Sequence, residues 1–408
     1  MSHSSEVRRG IALISLHSCP LGNLGARDTG GMSVYIREIA RHFDSLGFDV
    51  DIFTRGHDSH TSHIMRLAEG VRLIHLKVGE TRDVIDKLAL YSHIDSFNHK
   101  VNQFAADNDM KYRHVFSHYW LSGVSGQILA EKWQVPHSVM FHTLGAVKNQ
   151  IGRGVTESEL RVQEERNVIK ACDQIIASTS QEKELLCRLY DADADKIRVV
   201  PCGVNLEMFQ PSCHEEQEYT SGRTILFVGR LDPFKGINLL IDALSLIKED
   251  DRWRCLLIGG DGDCDRKSFL LRQAVDRGVD DRLEFVGPVP QEELKKYYSM
   301  ASVLVVPSYY ESFGLVALEA MACGCPVIAG DVGDLKNIIN PGLNGDILKN
   351  WDARELADKI GDWINCKPRT HLEEKTIRQT VVNFSWQNVT NLLKKGFDEL
   401  SCIKAGTS

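Results

Sequence analysis

Two carboxylates eight positions apart bracket the segment Glu311-Ser-Phe-Gly-Leu-Val-Ala-Leu-Glu319. A Ser312-Phe313-Gly314 step separates the first acid from an apolar run that continues through Ala320, Met321 and Ala322, and Gly324 then offers a C-terminal stop. The segment reads as a loop that becomes a helix, with Glu311 on the loop and Glu319 nearly two turns in. Backbone N–H groups at the helix start would lie between the two acids. Carboxylates accept hydrogen bonds from sugar hydroxyls, and a helix N-terminus binds anions. A ligand carrying both hydroxyls and phosphates fits such a segment.

A second cluster, Gly229-Arg230-Leu-Asp-Pro-Phe-Lys235-Gly236, places two cations after an apolar run, with a proline between them to stiffen the turn. Arginine binds two phosphate oxygens at once and lysine acts as a mobile point charge, so the pair suits a diphosphate. Two ordinary cations on a solvated loop would explain the cluster alone about as well. The acids expected at the same edge of the same sheet favour the clamp. Nearer the N-terminus, Asp28-Thr29-Gly30-Gly31-Met32 sits between a first strand and its helix. Paired glycines there let backbone approach a phosphate closely, although a simple tight turn has the same signature. Phe141-His142-Thr143-Leu144-Gly145 and Ser117-His118-Tyr119-Trp120 both end apolar strands with polar and aromatic groups that could line a cleft. A single histidine at a strand end is more often just hydrogen-bonded.

Two other patterns carry less. Gly259-Gly260-Asp261-Gly262 lies mid-domain and does not complete Gly-x-Gly-x-x-Gly, so it reads as a turn. His57, His60 and His63 recur every third residue, but in a polar stretch that reads as a solvated loop.

These groups need a scaffold, and the chain supplies a repeated one. Apolar runs at Ile11–Ser15, Val50–Thr54, Val71–Leu76, Val115–Ser117, Ser138–His142 and Gln174–Ser178 alternate with amphipathic stretches. One of these, from Ser33 to Leu46, spaces Val34, Ile36, Ile39, Ala40 and Phe43 as a buried helical stripe. A second series starts at Thr224-Ile-Leu-Phe-Val-Gly and continues at Arg254–Ile258, Leu283–Val286, Val303–Val306 and Pro326–Ala329. Strands alternating with helices imply parallel sheets covered on both faces. The polar, Pro-, Gly- and Ser-punctuated stretch from Pro201 to Gly222 reads as a linker. The fold class is therefore α/β, with two doubly wound Rossmann-like domains facing across a cleft. The expected boundaries are 1–203, a linker at 204–222, 223–384, and a C-terminal helix within 385–408 that packs back on the first domain. The ligand is expected at the carboxyl ends of the strands.

Composition narrows the class further. A chain of 408 residues is too long for one ordinary core. With 43% hydrophobic and 25% charged residues it belongs with soluble globular proteins, and a net charge of −8 gives no support for nucleic-acid binding. No run approaches the ~18 apolar residues of a transmembrane helix. The apolar stretch from Ile11 to Leu16 is too short for a signal-peptide core, so a cytoplasmic location is expected. The 11 cysteines are scattered, without Cys-x-x-Cys, and read as reduced, mostly buried thiols.

Taken together and in order, Gly30-Gly31, His142, Gly229-Arg230, Lys235-Gly236 and the two spaced glutamates resemble the retaining family-four glycosyltransferases of the GT-B fold over nearly the whole chain. Within that family, the strings from Asp28 to Tyr35, Ser117 to Gly123 and His142 to Asn149 are most similar to the branch that glycosylates inositol 3-phosphate, with the sucrose-phosphate synthases as neighbours. The resemblance implies a UDP-sugar donor, UDP-GlcNAc favoured, held by the second domain. It also implies a small phosphorylated acceptor held by the first.

Arg230 and Lys235 would hold the diphosphate, Glu319 the ribose and Glu311 the sugar hydroxyls, with Ser312, Phe313, Gly314, Leu315 and Val316 completing the donor site. Gly31 would approach the phosphate, and His142 would lie by the donor sugar. Arg230, Lys235, His142 and Glu311 are the implied catalytic set. His17, Asp28, Thr29, Gly30, Met32 and Ser33 would line the acceptor side, where Tyr119, Thr143 and Arg161 match phosphate-gripping positions and Lys87 matches by spacing. Ser33 departs from the asparagine usual in the inositol-phosphate branch, and its shorter side chain would change reach toward an acceptor hydroxyl.

No cofactor is required on this reading beyond the UDP-sugar donor; Mg²⁺ is left open, although the sequence indicates no metal site. A homodimer is left open.

The two acids could instead suggest a glycosidase. Retaining glycosidases hold their carboxylates about 5 Å apart. A loop acid and one two helical turns on would be roughly 10 Å or more apart at about 1.5 Å rise per residue. Stabilisation of departing UDP by Arg230, Lys235 and the helix start is the expected chemistry. A sucrose-phosphate synthase-like glucosyltransferase, a mannosyltransferase, a non-catalytic sugar-nucleotide-binding protein and an epimerase are the rival readings. UDP release in the presence of acceptor separates transfer from the last two.

Overall fold

A computed structural model of the chain describes residues 9–22, 29–56, 64–79, 86–153, 156–211, 223–247, 253–260 and 264–406. Two sheets organise it. The first holds β1 (Arg9–Ile14), β2 (Phe48–Arg55), β3 (Ile64–Ala68), β4 (Val71–Leu76), β5 (Tyr112–His118), β6 (His137–Met140), β7 (Gln174–Ala177) and β8 (Ile197–Val199), in the order β3-β4-β2-β1-β5-β6-β7-β8. The second holds β9 (Arg223–Val228), β10 (Trp253–Ile258), β11 (Leu283–Gly287), β12 (Val303–Val306), β13 (Val327–Gly330) and β14 (Gly345–Leu348), in the order β11-β10-β9-β12-β13-β14.

The central strands are buried on both faces, which is why they read as continuous apolar runs rather than alternating ones. Ile11, Ala12, Leu13 and Ile14 of β1 and Ile225, Leu226 and Phe227 of β9 are all buried. The strands pair in parallel except at one edge, where β3 runs antiparallel to β4 after the turn at Glu69 and Gly70. That edge strand departs from the all-parallel expectation. Arg66 interrupts its apolar residues and none of the five is fully buried, so the pattern used for the central strands did not find it. The short strands β8 and β14 escape because Arg198 and Asp346 interrupt them and neither shows an unbroken buried run.

Both sheets place their first strand between neighbours that wind away in opposite directions, the arrangement that opens a crevice at the strands' carboxyl ends. In the first sheet the reversal lies between β1 and β5, and in the second between β9 and β12. The loops that follow these four strands carry the candidate site.

The helix Gly31–Ser45 buries Val34, Ile36, Ile39, Ala40 and Phe43, the stripe the spacing predicts, buries Tyr35 besides, and begins two residues earlier than Ser33. The helix Trp386–Gly406 returns across the first sheet: Phe397 stacks on Phe43 at 5.6 Å and on His114 at 3.8 Å between ring centroids. The two crossings of the chain between the sheets run side by side, joined where Val204 N donates to the Phe384 carbonyl at 2.7 Å. Cys19, Cys172, Cys202, Cys255, Cys323 and Cys325 are buried and unpaired. Among the described residues, no helix is long and apolar enough to cross a membrane.

Candidate active site

On the second-domain side, β9 ends at Val228 and the chain turns through Arg230 to a short helical turn at Pro233–Lys235. Asp232 caps that turn by accepting from Phe234 N at 2.9 Å. Gly236 follows at φ 70°, and a Cβ there would lie 2.0 Å from the Pro307 carbonyl oxygen. Only glycine lets the Lys235 loop lie directly on the chain leaving β12. The consequence is a contact: Lys235 Nζ meets Glu311 Oε1 at 2.6 Å, and Ser308 Oγ donates to the same oxygen at 2.8 Å. Arg230 is more exposed, with Nη2 3.4 Å from Asp232 Oδ2.

Beyond Glu311, Gly314 at φ 109° opens the helix Leu315–Ala322 without a side-chain cap. The helix begins where the apolar run begins, so Glu319 is its fifth residue and lies about one turn in rather than nearly two. Glu319 is buried. It accepts from Gln291 Nε2 at 2.7 Å and from the Tyr298 hydroxyl at 2.9 Å. Burial outweighs these two hydrogen bonds and pushes its carboxyl up to about 7.

On the first-domain side, Gly30 caps the helix whose first residue is Gly31, and a Cβ on Gly31 would come within 3.1 Å of Leu315 Cδ1. Gly31 therefore lies against the start of the second domain's helix. His142 stands two residues past β6 in the left-handed region at φ 59°. Its Nε2 lies 3.0 Å from His118 Nδ1, and its carbonyl accepts from Ser312 Oγ across the cleft. Burial holds both imidazoles neutral, with His142 lowered to about 3. Ser178 Oγ, close to the end of β7, adds a second crossing bond to the Ser312 carbonyl at 2.8 Å.

Part of the predicted acceptor set gathers around one ring, that of Tyr119. Tyr119, at φ 77° and ψ 162°, occupies backbone space that is costly for a side-chain-bearing residue and is held there by its N–H on the Met140 carbonyl at 2.8 Å. His17 packs on its ring at 4.4 Å, with Arg161 Cζ 4.8 Å and Lys87 Nζ 5.5 Å from the ring centroid. Arg161 donates through Nη2 to Thr143 Oγ1 at 3.0 Å and to the Thr143 carbonyl at 2.8 Å, and pairs with Glu157 and Glu165.

One cavity of about 380 Å³ joins the two sides. His17, Thr29, Gly30, Gly31, Met32, Lys87, Tyr119, His142, Thr143, Arg230, Lys235, Glu311, Ser312, Phe313, Gly314, Leu315, Val316 and Glu319 all line it. Two predicted residues do not. Arg161 is buried behind Thr143, where its contacts with Tyr119, Thr143 and two carboxylates fix the wall. Ser33 is fully buried, with Oγ 3.0 Å from Ser18 Oγ, so its hydroxyl is engaged inside the first domain. Asp28 and the triplet His57, His60 and His63 lie outside the described residues, as do Asp261 and Gly262. Gly259 and Gly260 form the expected turn, both at positive φ.

Sequence reasoning missed further lining residues, Lys148, Tyr310, Gln291 and Val289 among them. Lys148 pairs with Glu157 and sits 5.2 Å from the Phe234 ring centroid, spanning the cleft. It falls inside the His142–Asn149 string, which signalled it. Tyr310, next to Glu311, has a hydroxyl that accepts from Leu144 N at 3.4 Å. Gln291 and Val289 follow β11, and nothing in their types distinguishes them from an ordinary helix entry. Among the described residues, no group of three or more His, Cys, Asp or Glu is arranged to hold a metal ion.

Comparison with known proteins gives concordant results. Residues 30–203 match the family described as "Glycosyl transferase 4-like domain", and residues 212–380 match "Glycosyl transferases group 1". A D-inositol 3-phosphate glycosyltransferase of Corynebacterium diphtheriae is 33% identical over 407 residues, covering 96% of this chain and 95% of the relative. One from Xylanimonas cellulosilytica is 37% identical over 368 residues, covering 86% and 87%. Among solved structures, a sucrose-phosphate synthase from Thermosynechococcus elongatus superposes with a TM-score of 0.86 at 31% identity, over 97% of this chain and 100% of that one. Anabaena HepE, crystallised with UDP-glucose, shares the fold at a TM-score of 0.73 and 18% identity, over 96% and 99%.

Proposed function

Because the chain belongs to the GT-B glycosyltransferases that join a glycosyl transferase 4-like domain to a group 1 domain, we propose that it is a retaining enzyme transferring a sugar from a UDP-sugar, UDP-GlcNAc first, to a small phosphorylated acceptor such as inositol phosphate. The observation that carries this reading is the Lys235–Glu311 contact beside an uncapped helix start, with the first domain's Gly31 lying against Leu315. A diphosphate placed there meets Arg230, Lys235 and the N–H groups of the helix start. These stabilise the charge that develops as UDP leaves.

The ion pair also limits what each partner can do. Lys235 is held by an acid that would itself bind the donor sugar's hydroxyls, so donor binding must share Lys235 between Glu311 and phosphate. His142, neutral by burial, serves as a hydrogen-bond partner at the sugar rather than as a cation. In this reading the leaving phosphate takes the acceptor's proton on the same face, which preserves the anomeric configuration. At the acceptor end Lys87, Tyr119 and Thr143 face the cavity, with Arg161 behind them. This cluster suits a phosphate.

A sucrose-phosphate synthase-like glucosyl transfer is the second reading. It is favoured by the likeness to the Thermosynechococcus enzyme and by Ser33, which does not reach the cavity. A screen of UDP-GlcNAc and UDP-glucose against inositol phosphate and fructose 6-phosphate, with and without a chelator, reads UDP release and product anomer by NMR. UDP release with inositol phosphate supports the first reading, and release with fructose 6-phosphate alone supports the second. Binding of UDP-sugar without release in any combination would leave only a sugar-nucleotide-binding protein.

A further inference from the structure

Three side chains form a hydrogen-bonded line from the first domain to the acid assigned to the nucleotide. Arg37, on the helix Gly31–Ser45, donates through Nη2 to Gln291 Oε1. Gln291, first residue of the helix Gln291–Met300, donates through Nε2 to Glu319 Oε1 at 2.7 Å. Tyr298 of that same helix donates to the other oxygen, Glu319 Oε2, at 2.9 Å.

The chemistry of the groups fixes the direction of this line. A guanidinium only donates, so the end of the Gln291 amide that faces Arg37 must be the oxygen. The nitrogen is then obliged to face Glu319, whose Oε1 accepts from it. Reversing the amide would put N–H against N–H at one end and oxygen against oxygen at the other. Glu319 is thereby held by two donors from one helix, with lone pairs left over: an ionised carboxylate has about four acceptor sites. It lines the cavity together with Gln291.

We propose that Gln291 is a positioning residue that aims the Glu319 carboxylate at the vicinal hydroxyls of the donor's ribose, and that Arg37 makes this aim depend on how the first domain sits against the second. The inference rests on the nucleotide reading of the site given above. It goes beyond that reading by assigning a donor-side role to a first-domain residue outside the cavity wall. With the domains apart, Gln291 loses the contact that selects its orientation, and Glu319 loses a fixed partner. Nucleotide affinity is thus coupled to domain closure through one amide.

The test is calorimetric binding of UDP and of 2′,3′-dideoxy-UDP to the full chain and to its Arg37→Leu and Gln291→Leu variants. UDP affinity is expected to fall about ten-fold in each variant, the scale of one hydrogen bond to a charged group. Dideoxy-UDP, which offers Glu319 no hydroxyls, is expected to bind all three proteins alike. Arg37→Lys, which keeps a donor, is expected to recover part of the loss. Equal losses for both ligands would mean a merely structural role and would overturn the proposal, as would an unchanged UDP affinity in Arg37→Leu. Should Gln291→Leu fail to fold, Arg37→Leu carries the same comparison. Failure of the unsubstituted chain to bind UDP would overturn the nucleotide reading and this inference together, and is told apart because no variant is needed to see it.

Discussion

Lys235 is the residue on which the proposed chemistry leans hardest. Its ammonium is half-buried against Glu311, on a loop that a glycine holds to the end of β12. Arg230, more exposed and paired at longer range, has more freedom to adjust. Replacing Lys235 by alanine removes one preorganised cation from the leaving group and leaves Glu311 with Ser308 as its remaining donor. Loss of one such charge-stabilising group costs about 10²–10³ in turnover. A Lys235→Ala variant is therefore expected to release UDP at least about a hundred-fold more slowly at saturating donor and acceptor. Turnover within a few-fold of the unsubstituted chain would remove Lys235 from the mechanism. Tyr119 belongs at this scale too. Its backbone strain, set among His17, Lys87, Thr143 and Arg161, marks the acceptor end as a place where geometry outweighs local preference.

At the scale of elements, strands β5 and β6 carry a set of buried histidines toward the site. His118 ends β5, His137 begins β6 beneath it, and His142 follows two residues after β6. His137 Nε2 meets Ser117 Oγ at 2.9 Å, and His118 meets His142 at 3.0 Å. Burial depresses all three, with His137 and His142 lowered to about 3 from an ordinary 6.5. The direction of linkage follows from proton counting. In the unfolded chain these imidazoles take up protons below about 6.5, whereas in the folded chain they stay neutral to far lower pH. The contribution of His137 and His142 is thus fully present above about 6.5 and is lost as pH falls toward about 3, and that of His118 runs in the same direction. At pH about 5.5 each deeply buried imidazole costs on the order of 1 kcal/mol of stability. Urea midpoints at pH 7.5 and 5.5 would read this, and His137→Gln is expected to narrow the difference between them. An unchanged difference would mean His137 is not held neutral. The elements themselves were legible to unequal degrees. β1 and β9 announced themselves because burial on both faces demands unbroken apolar runs, whereas edge strand β3 satisfies no such demand.

At the scale of the whole molecule, the two sheets face each other across the site while the chain crosses between them twice at one place. The terminal helix then returns to the first sheet. Phe397 anchors it between Phe43 and His114, Arg198 pairs with Glu399, and Lys404 reaches Asp173 at 3.1 Å. We take the paired crossings at Val204 and Ser385 as the hinge between a first domain of 1–203 plus the terminal helix and a second domain of 223–384. Phe397→Ala should accordingly unfold the first domain more easily, by about 3–5 kcal/mol, the usual scale for deleting a buried aromatic ring. UDP binding measured below the transition should be largely kept, since the donor groups sit on the other sheet. Calorimetric unfolding with and without UDP tests both expectations. A single transition with no loss of stability would contradict this placement of the helix.

By itself, the sequence determined the two-sheet α/β plan and the types of group at the strand ends, because strand burial and strand-to-helix turns leave their marks within a few neighbouring residues. It also carried the family resemblance that the comparisons with D-inositol 3-phosphate glycosyltransferases now support. What it could not determine was which of those groups touch. Lys235 and Glu311 stand 76 positions apart, and Arg37 and Gln291 stand 254 apart. Ser33 and Arg161, read as lining residues, turn out to be engaged inside the first domain, while Lys148, Tyr310 and Gln291 complete the wall. Lys235 and Glu311 meet because β9 and β12 are neighbours in one sheet, and Arg37 and Gln291 meet because the two sheets face each other, so the spacing of neither pair follows a helical or strand period. Only the folded structure decides them.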